Sequence, residues 1–380
     1  MKNKKIALVV WSRGISGAAY RFARFIQHLQ ATGLDDKFGV DFYINRSLIE
    51  DVKNKGIHIQ IKENIFVLND FNQGKARGKL YVLFNALRFI KTSGKYSSYH
   101  FVGGGLLCLF PIKLIKILRL AKPKLVVSFV SSSLWEASAG KIRALIYIYF
   151  SMLFADHIDC LNYTNTIGKV FPKKSVSISP NSFSDNESYA YNGVYDDKEE
   201  AIAFVGSFNK RKQPFLFLDV VKLLYASIPC LKYYMIGDGV LCDEVMDRVS
   251  KFSRDLQNKI IICHLNSPIE VLHKTKIFLS LQLVDNYPSQ SVLEAMLSQN
   301  YVIATSYGDT YRFIKKNFSC LLKNNCAEEI VFEIKNFLCL PKDQQDNISC
   351  RARDFVLKEC TIEKFTEYFF NIHSSMKDDG

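Results

Sequence analysis

The chain has 380 residues, 48% of them hydrophobic and 23% charged, with a net charge of +13 at pH 7. That length and apolar content give two ordinary domains a core each and exclude a disordered chain. The charge is lopsided: residues 1–190 hold 27 Lys/Arg against 12 Asp/Glu and residues 191–380 hold 23 against 25, so the first half suits a polyanionic surface, either lipid headgroups or nucleic acid.

The basic residues 1–5 run into an apolar segment at 6–10, too short for the core of a signal peptide and read as a buried first strand. A helix follows over 18–31, and further strands are expected at 40–44, 57–61, 65–67, 99–102, 125–129 and 157–161. The longest apolar run, 144–155, is preceded by Lys141 and Arg143 and falls well short of the about 20 residues a bilayer requires. No transmembrane helix is expected. Short apolar strands alternating with longer helical patterns predict a doubly wound parallel sheet.

Residues 181–200 are polar and rich in turn formers. They divide a first domain, 1–185, from a linker, 186–200, and a second domain, 201–358. The second domain repeats the alternation, with strands at 201–205, 233–236, 260–263 and 277–281 and helices at 215–226, 242–252, 268–273 and 343–358. The last segment, 359–380, carries Ile362, Phe365, Phe369 and Ile372 at helical spacing and is expected to dock, with the first domain as one place for it. Ten cysteines lie scattered without a C-x-x-C pair, and the seven histidines do not cluster, so neither a zinc site nor a disulfide framework is read from them.

Two strand ends offer anion sites. The first strand runs into Trp11-Ser-Arg-Gly14-Ile-Ser-Gly17 and a helix; Gly14 and Gly17 let backbone approach a phosphate or sugar at a helix N-terminus. The spacing is not that of a dinucleotide fingerprint, and an ordinary turn explains it equally well. In the second sheet, Gly206-Ser207-Phe-Asn-Lys210-Arg211-Lys212 sets three cations after a strand, where a diphosphate would be neutralised; a solvated basic loop is the plainer alternative. The segment Leu281–Met296 then passes from a buried strand through a loop of hydroxyls and amides into a helix carrying Glu294. Ser289 or Ser291 can cap that helix, its free N–H groups would face the basic loop, and a lone carboxylate there suits ribose hydroxyls.

The order and spacing of G-x-x-x-x-x-K at 206–212, Met235-Ile-Gly-Asp-Gly239, the loop and E-A-M at 285–296, and Val302-Ile-Ala-Thr with Gly308 resemble the retaining GT-B glycosyltransferases of family 4 over most of residues 201–320. Ser177–Asn181 is similar to the I-x-P-N that commonly precedes that family's linker. The resemblance implies a GT-B fold, two Rossmann-like α/β domains facing across a cleft, with the nucleotide sugar on the second domain. It also implies that Lys212 holds the diphosphate, that Glu294 binds the ribose, and that a carboxylate eight residues earlier meets the donor sugar. The last position holds Asn286, with Asp285 beside it, and the sugar contact is shared between them. Ser207 stands where the family has an Arg, with Lys210 or Arg211 as compensation, and Tyr287, Pro288, Ser289, Gln290 and Ser291 complete the donor loop. A family histidine on the acceptor side has no counterpart near 128–133.

The resulting expectation is a cytoplasmic enzyme that moves a sugar from a nucleoside diphosphate to a glycan or polyprenyl-linked acceptor in bacterial surface-polysaccharide synthesis. It uses no cofactor and no metal, since no D-x-D ends a strand and cations supply the phosphate site. Lys113, Lys116 and Arg119 beside an apolar face, with further cations over 76–95, suit peripheral contact with the anionic inner face of the membrane, although an amphipathic helix packed on a sheet has the same pattern. Two other readings stand beside this one: a catalytically inactive sugar-nucleotide-binding module, and a nucleic-acid-binding protein, which lacks any recognised reader element.

Overall fold

The structure is a computed structural model that describes residues 5–11, 17–54, 56–68, 95–103, 123–129, 142–161, 170, 175–180, 182–265, 267–285, 287 and 289–374. They fall into two compact units. One holds the described residues up to Pro180 together with those from Ile362 onward, and the other holds the residues between, ending at Thr361.

The first unit is built on strands β1 (Ile6–Trp11), β2 (Val40–Asn45), β3 (Ile65–Leu68), β4 (Ser98–Gly103), β5 (Lys124–Phe129), β6 (His157–Cys160) and β7 (Ser175–Ile178). They form one sheet in the order β3-β2-β1-β4-β5-β6-β7, parallel throughout. Unbroken apolar runs such as Ile6–Val10 belong in a parallel sheet covered on both faces. The helix Gly17–Thr32 packs beside the terminal helix Ile362–Ser374, where Phe25 lies 5.0 Å from Phe365 and 4.9 Å from Phe369 between ring centres, both edge-on.

Residues 57–61 form no strand. Ile57 is buried, but the backbone of Gln60 is engaged by a side chain: Gln30 Nε2 donates to its carbonyl at 2.7 Å, and its N–H donates to Gln30 Oε1 at 3.0 Å. One carboxamide thereby satisfies the groups that a neighbouring strand would have taken. The strand β7 went unread because Ser-Val-Ser-Ile is short, alternates serine with apolar residues and lies at the edge of the sheet.

The second unit has strands β8 (Glu199–Val205), β9 (Lys232–Ile236), β10 (Ile260–Cys263), β11 (Thr275–Ser280), β12 (Tyr301–Ala304) and β13 (Ser319–Leu321), in the order β10-β9-β8-β11-β12-β13 and again parallel. Chain order reverses between β8 and β11, and the carboxyl ends of strands flanking such a switch are where open α/β sheets bind ligands. Apolar clusters cover both faces, one against the helices Pro214–Tyr225 and Ala327–Leu338, the other against Gln290–Leu297. Residues 186–200, read as a linker, include a one-turn helix, Asn186–Tyr189, and a 3-10 turn, Tyr195–Asp197. No described helix is long and apolar enough to cross a membrane.

Candidate functional site

The segment after β8 is fixed against the end of β9 by three backbone hydrogen bonds. Gly206 N–H donates to Ile236 O at 3.0 Å, Phe208 N–H to Asp238 O at 2.6 Å, and Leu241 N–H to Phe208 O at 3.0 Å. Such close contact explains the G-D-G: Gly237 and Gly239 both sit at φ 149°, and a side chain on either would overlap the backbone of Gly206 or Phe208. Phe208 is fully buried and anchors the loop to the core.

The three cations form one 3-10 turn, Lys210–Lys212, capped by Asn209, whose Oδ1 accepts the Lys212 N–H at 3.1 Å. Gln213 follows in the left-handed region at φ 54° and hands the chain to Pro214, first residue of the helix Pro214–Tyr225. Ser207, Lys210 and Arg211 are exposed. Lys212 instead turns inward, its methylenes lying over Gly206, and burial, then the Arg211 charge, pushes its pKa down to about 8. Among the described residues no hydrogen-bond or ion-pair partner meets its ammonium.

The loop after β11 joins this one directly, since Leu283 N–H donates to Arg211 O at 3.0 Å. Buried Thr305, beyond β12, braces it: Thr305 Oγ1 accepts the Gln282 N–H at 2.9 Å and donates to Gln282 O at 2.8 Å. Asp285 folds the turn, its Oδ1 accepting from Tyr287 N at 2.9 Å and from Asp309 N at 3.2 Å. Gly308, at φ 52°, leaves room for that carboxylate, which any side chain there would strike. Arg312 lies over the Tyr287 ring at 4.1 Å. Asn286 and Pro288 lie outside the described residues, as does Gly14; Gly17 opens the helix Gly17–Thr32 in the first unit.

Ser289 caps the helix Gln290–Leu297, its hydroxyl accepting from Val292 N; its Oγ lies 3.2 Å from that of Ser291. Gln290 Nε2 donates to Ser182 Oγ at 3.0 Å and Phe183 O at 2.8 Å, and Ser184 Oγ donates to Glu294 Oε1 at 3.1 Å. Glu294 is buried. The second unit therefore brings Gly206, Ser207, Lys210, Arg211, Lys212 and Asp285 into two bonded loops, with Tyr287, Ser289, Gln290, Ser291 and Glu294 on the same chain segment. Sequence reading missed the bracing residues Ser182, Ser184 and Asp309 and took Thr305 only as the end of Val302-Ile-Ala-Thr; the doubled serine after Pro180 was the available signal for the first two.

A further set went unread. The ammonium of buried Lys198 lies 2.7–3.2 Å from the carbonyl oxygens of Leu272, His273, Thr275 and Ser298, which share its three N–H groups, tying the ends of two helices. Burial and nearby Lys276 lower its pKa to about 7, while the four carbonyls favour its charged form. In the first unit, two hydrogen-bond chains converge on Asp159. Ser128 Oγ donates to Asp159 Oδ2 at 2.7 Å and so accepts from His100 Nε2, also at 2.7 Å; His100 Nδ1 meets His373 Nε2 at 3.1 Å, and His373 Nδ1 meets Ser98 Oγ at 2.8 Å. On the other side Tyr368 OH donates to Asp159 Oδ1 at 2.6 Å and meets Ser177 Oγ, which in turn meets His157 Nε2 at 2.8 Å, with Ser175 on Nδ1. One proton arrangement satisfies every link: three neutral imidazoles, each protonated on Nε2. Burial accordingly lowers the pKa of His157 to about 4 and of His373 to about 3.

No curated protein matches the sequence. Among solved structures, that of Anabaena Alr3699/HepE in complex with UDP is similar at a TM-score of 0.74 and 12% identity, covering 98% of this chain and 100% of that one. A glycosyltransferase from Rickettsia africae ESF-5 matches at 0.72 and 14%, covering all of both chains. The lipopolysaccharide outer core galactosyltransferase WaaB in its apo form matches at 0.65 and 14%, covering 98% and 100%. The two parallel-sheet units have the fold of GT-B glycosyltransferase structures. Within the chain, residues 187–355, which carry all the loops just described after β8, match the model of the family Glycosyl transferases group 1.

Proposed function

We propose that the protein is a retaining glycosyltransferase that moves a hexosyl group from a nucleoside diphosphate to a glycan or polyprenyl-linked acceptor in bacterial surface-polysaccharide synthesis. One observation carries the reading: an inward-turned lysine with a lowered pKa stands on a glycine loop at the switch point of the second sheet, within the segment that matches the glycosyltransferase family. The neighbours include complexes with UDP and glucose and with UDP-glucose, and WaaB is a lipopolysaccharide enzyme by name.

As the bond from the anomeric carbon to the diphosphate oxygen breaks, negative charge gathers on the leaving phosphate. Lys212, the neighbouring Lys210 and Arg211, and the N–H groups at the start of the helix Gln290–Leu297 oppose that charge. Glu294 is assigned the ribose hydroxyls, with Ser184 orienting its carboxylate. The sugar contact is assigned to Asp285 and Asn286 together, and Tyr287, Pro288, Ser289, Gln290 and Ser291 are assigned to the donor loop. The first unit is assigned the acceptor and a peripheral contact with the anionic inner leaflet.

The test is a transfer and hydrolysis assay with nucleoside diphosphate sugars, run with and without EDTA, with the anomer of the product read by NMR. Release of sugar with retained configuration and undiminished rate in EDTA is expected. A strict divalent-metal requirement or an inverted product would contradict the metal-free retaining mechanism, and binding without turnover would favour an inactive sugar-nucleotide module.

A further inference from the structure

The helix Ile142–Phe154 has no acidic residue and a single charge, Arg143, with Lys141 just before it in sequence. Its inner face packs in the core of the first unit: Met152 is fully buried and Ile148 lies against the same cluster as Val127 and Ile158. A surface helix of this kind ordinarily turns a polar face outward. Among the described side chains of this helix, the exposed ones are Ile142, Ile146, Tyr149 and Leu153, by 66%, 51%, 38% and 38%. Their spacings of four, three and four place them in one stripe along the helix, about 16 Å long at the ~1.5 Å rise per residue of an α-helix.

We propose that this stripe is a membrane-contact surface that rests on anionic lipid, with the side chains of Ile142, Ile146, Tyr149 and Leu153 among the acyl chains and basic residues of the first half at the headgroups. The charge distribution selects this occupant. All of the molecule's excess positive charge lies in residues 1–190, which favours a negatively charged bilayer over a second copy carrying the same excess. A stable protein interface also buries roughly 800 Å² on each partner, more than four partly exposed side chains supply. The stripe names the element that would make the membrane contact included in the proposed function, yet vesicle binding is measured separately from any response to nucleotides.

The experiment floats the full chain with phosphatidylcholine vesicles, with and without phosphatidylglycerol. Wild-type protein is expected in the floated fraction with the anionic vesicles only and to be released by high salt. The double variant Ile142→Glu, Ile146→Glu is expected to lose at least about tenfold in partitioning, since two apolar side chains no longer gain from burial, while its melting and its response to nucleoside diphosphates stay as in wild type. In a second reading, Tyr149→Trp is expected to shift its added emission to the blue on anionic vesicles. The proposal is overturned if the protein stays soluble with anionic vesicles, if the double variant floats like wild type, or if the new tryptophan shows no shift in vesicle-bound protein. A dimer that the double variant dissociates, with vesicle binding unchanged, would assign the stripe to a second copy instead.

Discussion

The two parallel sheets spend their polar residues in opposite ways. In the second unit an apolar cluster covers each face of the sheet, and the candidate site residues stand on loops beyond the strand ends, at Gly206–Lys212 and around Asp285. In the first unit Ser98, His100, Ser128, His157, Asp159, Ser175 and Ser177 occupy alternate strand positions and form a ladder under the helix Ile362–Ser374. A ladder so connected fixes where that helix lies, because a shift of one residue would leave several buried groups unsatisfied. In the first set Ser207, Lys210 and Arg211 are exposed and the Lys212 ammonium meets no partner among the described residues, while the second set has its bonds already made. Polar character alone therefore does not mark a site.

Substitutions on either side sharpen that contrast. The largest effect is expected from Lys212→Ala, which should lower turnover by about 10²–10³, as loss of one preorganised contact to a charged leaving group commonly does, with the nucleoside part still bound. Steady-state transfer kinetics read it, and unchanged turnover would remove Lys212 from the mechanism. Asp159→Ala orphans the hydroxyls of Ser128, Ser179 and Tyr368 and is expected to destabilise the first unit by about 3 kcal/mol or more. Hydrogen exchange should show amides of β4 to β7 and of residues 362–374 opening while those of the second unit keep their protection.

Changing pH separates the units without mutation. The folded-state pKa values of His157 and His373 lie near 4 and 3 against 6.5 in the free side chain, so between those limits the unfolded chain binds protons that the native one refuses. The first unit is expected to lose stability as pH falls from 6.5 toward 4. In the second unit Lys212, lowered from 10.5 to about 8, has the alkaline counterpart: stability rises with pH over that window, while affinity for a nucleoside diphosphate, which requires the ammonium, falls. Melting and titration calorimetry across pH 4 to 10 would detect both trends, and parallel movement of stability and affinity above pH 8 would contradict the role given to Lys212. The smallest effect is expected at Gln213, whose left-handed backbone favours glycine; Gln213→Gly should stabilise by about 0.5–1 kcal/mol if the turn keeps its shape, a gain readable in thermal melting.

The same contrast decides what the sequence disclosed. Each of the two bonded loops in the second unit is contiguous and follows an apolar strand, so its glycines, cations and cap could be read in order, and Gly206, Lys212, Ser289 and Glu294 fall on the elements expected for them. The bracing contacts were illegible because they join distant residues: Ser184 meets Glu294 across 110 positions and Ser98 meets His373 across 275. Local pattern also misassigned 57–61, where three isoleucines at alternate positions signal a strand but a glutamine side chain takes the backbone. β13, of three residues, and β7, of four at the edge of its sheet, are too short to announce a strand, and pairing makes them strands.

The central claim is that the second unit binds a nucleoside diphosphate through Lys212. It is tested most directly by the melting of purified wild-type protein and of Lys212→Ala with UDP, GDP, ADP and CMP, each with and without EDTA. The expected result is selective stabilisation by one nucleoside diphosphate, indifferent to EDTA and weakened in the variant. Absence of any shift in the wild type, or an equal shift in the variant, would contradict the claim.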